Sequence, residues 1–451
     1  MGGHARQKGS VLVVVLVFVA VFSALAVGYL AAANGSLRSA RLYVDSRRAH
    51  MAAEAGLDVV REALPRVSLK GAVTTEDQLA AIATSLNAQY RDTLFGGHPA
   101  VVDEDQHAVI VPAVTLSMPE GVTSIALCVQ AGVNNTFAVQ SVGAASDCAQ
   151  SVGLSFSIEE DTLILANFGV ASRSRIGMTG NASIEGVNDG KEGSVLSATY
   201  SYEEAVSLTG NIDVSGDVSV VNPEGCVSMV GNADIGGDVR IGVEDPEFPT
   251  VDASPFEIYA TSIVDSTTPT GGNRYFENIR IRAGTNPTFS GNTTIRGVVY
   301  VESPNKVHFS GNLNFIGVIV CEPPEDEDLD LDNHSLKFTG NTSTNGVESL
   351  PAGAQFDGLR DLGGAFILAQ GYSLQFTGNF STINGTMAAS EFKFTGNAGG
   401  TICGSLLCYD DTNFTMTGNS HLLFDHRNLK TNPPGLVFPV KLVCVGGSYV
   451  E

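Results

Sequence analysis

FSGNLNFIGVIV, residues 309–320, is the stretch that decides how this chain folds. A near copy, FSGNTTIRGVVYV, occupies residues 289–301, and FTGN begins again at Phe338, Phe376 and Phe394. The wider pattern, an apolar residue or Thr/Ser/Val before Gly-Asn, ends on Asn181, Asn211, Asn232, Asn292, Asn312, Asn341, Asn379, Asn397 and Asn419. The successive spacings are 30, 21, 60, 20, 29, 38, 18 and 22 residues. A unit near 20 residues fits four of them, and 60 reads as three units. The spacings of 29, 30 and 38 require inserted loops. A recurrence of this length is the mark of a solenoid and is read before any local motif.

The unit is longer than its tetrapeptide. Five positions before the Asn stands an apolar residue, as at Ile176, Val206, Val307, Leu336 and Phe392. Three positions after it come Ile184, Val214, Ile235, Ile295 and Phe315, and five after it Gly186, Gly216, Gly237, Gly297 and Gly317. This is three short runs of period two joined by corners. Gly supplies the backbone angles of a corner, and Asn tolerates them while its amide can bond a copy of itself one coil away. Stacked coils place Phe on Phe and Asn on Asn about 4.8 Å apart. The expected architecture is a parallel β-helix, right-handed, of roughly ten to twelve coils over residues 176–424. The Asn/Leu framework of leucine-rich repeats, the Gly-Gly-x-Gly-x-Asp calcium nonapeptide and the length of a propeller blade are all missing.

Composition agrees. The 451 residues include 50 Gly and no Trp, which favours short strands and turns over packed helices. The formal net charge of -23 opposes binding of nucleic acid. Seven Cys are scattered without zinc spacing; Cys128 and Cys148 flank a strand-turn-strand and are either bridged or buried free thiols.

The N-terminus has a different character. MGGHARQKG, residues 1–9, is short and basic, and residues 10–33 carry no charge. Those 24 residues would span about 36 Å as a helix, enough for a bilayer core of roughly 30 Å. The helix is expected to continue to Pro65, with Ala52, Ala55, Val59 and Ala63 forming a small-residue stripe for close packing. Arg38, Arg41, Arg47 and Arg48 after the apolar run outnumber Arg6 and Lys8 before it, so counting charges alone would place the C-terminal flank in the cytoplasm.

A basic leader ending in Gly9, an apolar run opening SVLVVVL, and AHMAAEAGL at residues 49–57 resemble the N-terminal region of PilX-like type IV pilus assembly proteins, or minor pilins. The resemblance covers about the first 65 residues. It implies a prepilin-peptidase site between Gly9 and Ser10, and an assembly helix marked by Ala53, Glu54, Ala55, Gly56 and Leu57. It also implies an inner-membrane protein with its body outside the cytoplasm, available for a surface pilus, and this outweighs the charge count. The implied partners are other pilin-like subunits and the pilus assembly machinery. Major pilins usually carry Glu five positions into the mature chain; here that position is Val14. The departure implies a subunit that starts or caps a filament, or one not packed into a long one.

Between helix and repeats, residues 74–88 read as a second helix capped by Thr75, with Glu76 and Asp77 in its first turn. Residues 101–160 alternate as a small antiparallel sheet. The expected organisation is a leader (1–9), a transmembrane and assembly helix (10–66), a small α+β region (67–165), the solenoid (166–425) and a C-terminal cap or tail (426–451), mainly β overall.

The search for chemistry yields little. Asp213, Asp217, Asp234 and Asp238 align in register as a glycosidase or cation site would need, or as an ordinary solvated strand face. Asp328, Asp330 and Asp332 alternate as an EF-hand loop begins, but Asn333 replaces its Gly and Thr339 its closing Glu. No Walker loop or nucleophile elbow is present, and no cofactor is implied. The functional expectation is a non-enzymatic, pilin-like envelope protein whose rod serves display, adhesion to a surface glycan or cell ligand, or tip architecture. The rivals are a tethered polysaccharide-acting enzyme and a bactofilin-like polymerising scaffold.

Overall fold

The computed structural model describes residues 8–69, 74–93, 95–118, 121–133, 135–324, 330–410 and 413–451. The chain divides into two compact units, Met1–Glu160 with Val440–Glu451, and Asp161–Pro439.

The first unit is built on one long helix, α1 (Lys8–Ala63), which at 1.5 Å per residue is about 84 Å long. It has two halves of opposite character. Large apolar residues from Leu12 to Val44 are exposed, and the segment is long and apolar enough to cross a bilayer. From Ala49 onward one face is buried: Ala49, Ala52, Ala53, Gly56, Leu57, Val60 and Ala63. A second helix, α2 (Thr75–Tyr90), buries Leu79, Ile82, Ala83 and Leu86 in the same core. Its cap is Thr74, one residue before the expected Thr75. The Thr74 hydroxyl accepts from Asp77 N–H at 3.1 Å, while the Asp77 carboxylate accepts from Thr74 N–H at 3.2 Å. Thr75 has Gln78 three residues on, so the capping-box pattern fits either threonine, and the structure selects Thr74 with Asp77. The Thr74 hydroxyl also donates to the Asp77 carboxylate at 2.7 Å, and this bond, with the one from Thr74 N–H, holds the Asp77 carboxyl below its usual pKa.

Five antiparallel strands follow: β1 (Val101–Asp103), β2 (Ala108–Met118), β3 (Gly121–Ala131), β4 (Thr136–Ala145) and β5 (Cys148–Glu160). A sixth comes from the chain's other end. Val440–Cys444 pairs antiparallel with β5, so the expected C-terminal tail is in part a strand of the first unit's sheet. Alternation along β3 buries Ile125, Leu127 and Val129, and along β4 Phe137, Val139 and Ser141. The α1 face lies across β3, β4 and β5. Cys128 and Cys148 are both free thiols; they sit on β3 and β5 with β4 between them, which puts the bridge out of reach.

The second unit is a parallel solenoid. Strands Thr288–Val301 and Lys306–Cys321 pair in parallel along their full length, from Thr288 with His308 to Val301 with Cys321. The strands therefore run through the Gly-Asn corner without a break, where separate short strands were expected. Pairing persists because Gly291 and Gly311 bend together, at φ +82° and +105°. Inside, Phe289, Phe309, Phe338, Phe376 and Phe394 form one column with successive ring centroids 5.2, 4.9, 4.7 and 5.3 Å apart. The column continues with Met416, Met178, Leu208 and Met229, each paired with the one before.

That continuation shows the order of the stack, which is not the order of the sequence. The strand Phe414–Gly418 pairs with Ile176–Gly186, the first full rung of the solenoid. The chain enters mid-stack, builds rungs outward to Val239–Ile241, and leaves. Residues 242–261 carry it back to the opposite end, where Ser262–Val264 starts the second series. That series climbs through residues 274–424 until it meets the first. Each stretch advances in the same direction, so every junction is parallel.

The spacing of 60 residues between Asn232 and Asn292 is thus the return passage plus one rung, not three units. That rung turns at Asn273, in Gly271-Gly272-Asn273, which has polar Thr270 where the others have an apolar residue. The return passage is held by Thr250–Val251 pairing antiparallel with Leu436–Val437. It buries Phe248 and Phe256 in an outer apolar layer with Tyr300, Val320, Leu368 and Phe438.

Candidate functional site

Two surfaces gather the residues singled out from sequence: the assembly helix and the asparagine face of the solenoid.

On α1, the AAEAGL block divides by face. Ala53, Gly56 and Leu57 are buried against the unit's own sheet, while Glu54 and Ala55 are exposed. The small-residue stripe is therefore rotated from the expected one: Ala52 and Ala63 belong to it, Ala55 does not, and Val59 is half-buried. Two glycines explain the close seating. A Cβ on Gly56 would lie 2.4 Å from Ser141 Oγ and 2.5 Å from Ile125 Cγ2. Opposite, a Cβ on Gly143 of β4 would lie 2.0 Å from the Ala49 carbonyl oxygen. Glu54 faces the other way and pairs with His50 at 3.4 Å. Gly9 and Ser10 stand at the start of α1; their side-chain surroundings lie outside the described residues.

On the solenoid, all nine sequence-identified Asn residues occupy corners of the stack, together with Asn273. In stack order they are Asn273, Asn292, Asn312, Asn341, Asn379, Asn397, Asn419, Asn181, Asn211 and Asn232. Seven of these amides donate to the side-chain carbonyl oxygen of their predecessor: first Asn292 to Asn273 at 3.1 Å, Asn312 to Asn292 at 3.0 Å and Asn341 to Asn312 at 3.4 Å. Above these, Asn419 donates to Asn397 at 3.4 Å, Asn181 to Asn419 at 3.0 Å, Asn211 to Asn181 at 2.8 Å and Asn232 to Asn211 at 3.0 Å. The Asn181–Asn419 bond joins residues 238 positions apart and seals the junction between the two series. Among the described residues no ladder bond reaches Asn379. There Asn379 pairs with Gly399 while Phe376 pairs with Phe394, so the register slips by two residues. These amides serve one another, which is an architectural role.

The carboxylates singled out from sequence are also drawn into structure. Asp213 and Asp234 are register partners. Partial desolvation, then the neighbouring Glu185 and Asp234, lift the Asp213 pKa. Asp217 and Asp238 share Arg240, at 3.1 and 3.3 Å, and Asp217 also accepts from Asp238 N–H at 2.8 Å. A pair tied to one guanidinium does not have the free acid and base that glycoside hydrolysis needs. Beside them lies a polar cavity of about 470 Å3 lined by Asp189, Lys191, Glu192, Arg240 and His426. Glu192 is occupied there, accepting from the backbone N–H of Asn188 and of His426.

Asp330 closes its own turn. Its carboxylate accepts from Asp332 N–H at 3.0 Å and from the Asn333 amide at 2.6 Å. Asp328 lies outside the described residues. Among the described residues, no three His, Cys, Asp or Glu side chains converge as metal ligands.

No protein-family model matches the chain, and no curated protein matches it. Among solved structures it is similar to the competence-associated pilin ComZ from Thermus thermophilus, at 13% sequence identity, over 90% of this chain and 97% of that one, with a TM-score of 0.25.

Proposed function

We propose that this chain is a non-enzymatic, pilin-like envelope protein. Prepilin peptidase cleaves between Gly9 and Ser10. The exposed apolar half of α1 anchors the product in the inner membrane and packs among the helices of other pilin-like subunits. The solenoid is displayed outside the cytoplasm as a rigid rod for tip architecture or adhesion.

One observation carries this reading: α1 is a single helix with two environments. Its first half is apolar and exposed on all sides, as lipid or neighbouring helices require. Its second half is the spine of a folded unit, seated through Gly56 and Gly143. A generic membrane anchor does not need to continue without a break into a globular core. Val14 supports a place at a filament's start or cap, because a buried carboxylate that would bond a neighbouring subunit's amino terminus is missing.

The test is direct. Co-expressed with a prepilin peptidase, the full chain should lose residues 1–9, read as an intact mass beginning at Ser10. The substitution Gly9→Leu should leave the chain uncut while the body still folds. Recovery of a membrane-bound wild-type chain that keeps its leader in the presence of active peptidase would refute the assignment.

A further inference from the structure

We infer that the open end of the solenoid, the rung of residues 226–241, docks on the same rung of a second copy of this chain, two-fold and end to end. The inference does not depend on how the protein is anchored or processed.

The two ends of the stack are finished differently. At the far end, the inward Val264 of the last strand, Ser262–Val264, is only 1% exposed. At the near end the interior column stops uncovered. Met229, Val239 and Ile241 continue the inward positions of Leu208, Val218 and Val220, which are fully buried, yet they are 46, 49 and 42% exposed. Among the described residues, Cys226–Ile235 pairs on one side only, with the strand Glu204–Val214, and Val239–Ile241 only with Val218–Val220. The outer edge therefore presents unpaired backbone donors and acceptors beside exposed apolar side chains, and no proline interrupts it. Such an edge is a template for another chain.

The rung's own pattern identifies that chain. Its three sides are residues 227–229, 233–235 and 239–241. A two-fold axis across the stack makes every strand pair at the interface antiparallel. Set residues 227–229 against their copy about Ser228, and Val227 meets the second copy's Met229, inward on inward. The same axis then lays 233–235 on 239–241 of the second copy. Inside, Ala233 meets Ile241 and Ile235 meets Val239. Outside, Asp234 meets Arg240, and symmetry repeats the contact, so one docking forms two ion pairs. Both groups are available. Asp234 is exposed, with no ion-pair partner among the described residues. Arg240 holds Asp217 and Asp238 through the one nitrogen Nη2, which leaves its other N–H groups to donate.

Head-to-tail stacking has no such fit. Residues 274–277 and 279–281 belong to one rung, and Ser262–Val264 already lies beneath Ile279–Ile281. That is the place that Val239–Ile241 of a copy below would have to take.

Sedimentation of the full chain, reconstituted at one copy per lipid nanodisc, tests this. Discs should pair reversibly as their concentration rises. Asp234→Arg should weaken pairing about tenfold or more with an unchanged melting temperature, because it sets like charges together at both sites. A cysteine probe reads the geometry. With Cys226→Ser removing the exposed native thiol of this rung, Ser228→Cys should give a disulfide-linked dimer on mild oxidation, since the two positions face each other across the axis. Discs that stay single at every concentration would overturn the inference. So would Asp234→Arg discs that pair like wild type, or Ser228→Cys chains that cross-link to Tyr275→Cys chains and not to one another, the mark of head-to-tail stacking.

Discussion

Gly311→Ala is expected to destabilise the solenoid by about 2–5 kcal/mol, read as a lowered denaturation midpoint of the second unit. Two separable effects add up at this position. Gly311 has φ +105°, where an L-residue is strained by about 1–2 kcal/mol. Its Cβ would also lie 2.4 Å from the carbonyl oxygen of Gly291 and 2.8 Å from its nitrogen. Both are backbone atoms of the rung beneath, fixed by pairing on each side, and they cannot swing away. Overpacking of this kind costs about 1–3 kcal/mol more. The molecule contains its own controls. Gly272 sits at the end of the stack with φ +85° and nothing within 4 Å of a Cβ, so Gly272→Ala should show the conformational cost alone. Gly340 has no positive φ but would place a Cβ 1.6 Å from the Gly311 carbonyl oxygen, so Gly340→Ala should show chiefly the steric one. Equal effects at all three sites would contradict the account of the corner.

Gly143→Val is expected to cost the first unit about 3 kcal/mol or more, enough to speed exchange of its globally protected amides roughly a hundredfold. The added Cβ would meet Ala49 O at 2.0 Å, Ala53 N at 2.5 Å and the Ala52 carbonyl carbon at 3.0 Å. All three are helix backbone, so α1 must lift away from β4 and surrender the burial of Ala49, Ala53 and Leu57. Gly97→Ala, where a Cβ meets nothing within 4 Å, should stay within about 0.5 kcal/mol of wild type. A Gly143→Val protein with wild-type exchange in residues 49–63 would mean that the helix is not seated there.

Much of this molecule can be read from its sequence, for physical reasons that also set the limit. Parallel stacking puts like residues on like, so the Phe column and the asparagine ladder appear as repeats along the chain. The apolar run before Ala33 is visible because a bilayer demands length and composition. What escaped was long-range order. The meeting of Phe414–Gly418 with Ile176–Gly186 leaves no period in the sequence, since both segments carry the same motif. The rung at Asn273 escaped because polar Thr270 sits where the motif expects an apolar side chain. The buried face of α1 was placed one position off because a helix that packs on a flat sheet can rotate among several small residues. The sixth strand, Val440–Cys444, pairs with a segment nearly 300 residues earlier and has no local sign of its partner.

The stack order is the central claim, and methionine methyl NMR tests it most directly. The chain has seven Met residues, and Met178 and Met416 are register partners in the interior column across the junction. In protein labelled at the methionine methyl groups, with assignments from Met178→Leu and Met416→Leu, the two methyls should give a direct cross-peak. A solenoid wound in sequence order would put those two residues near opposite ends of the stack. The absence of that cross-peak, with both methyl signals present and assigned, would contradict the two-series solenoid.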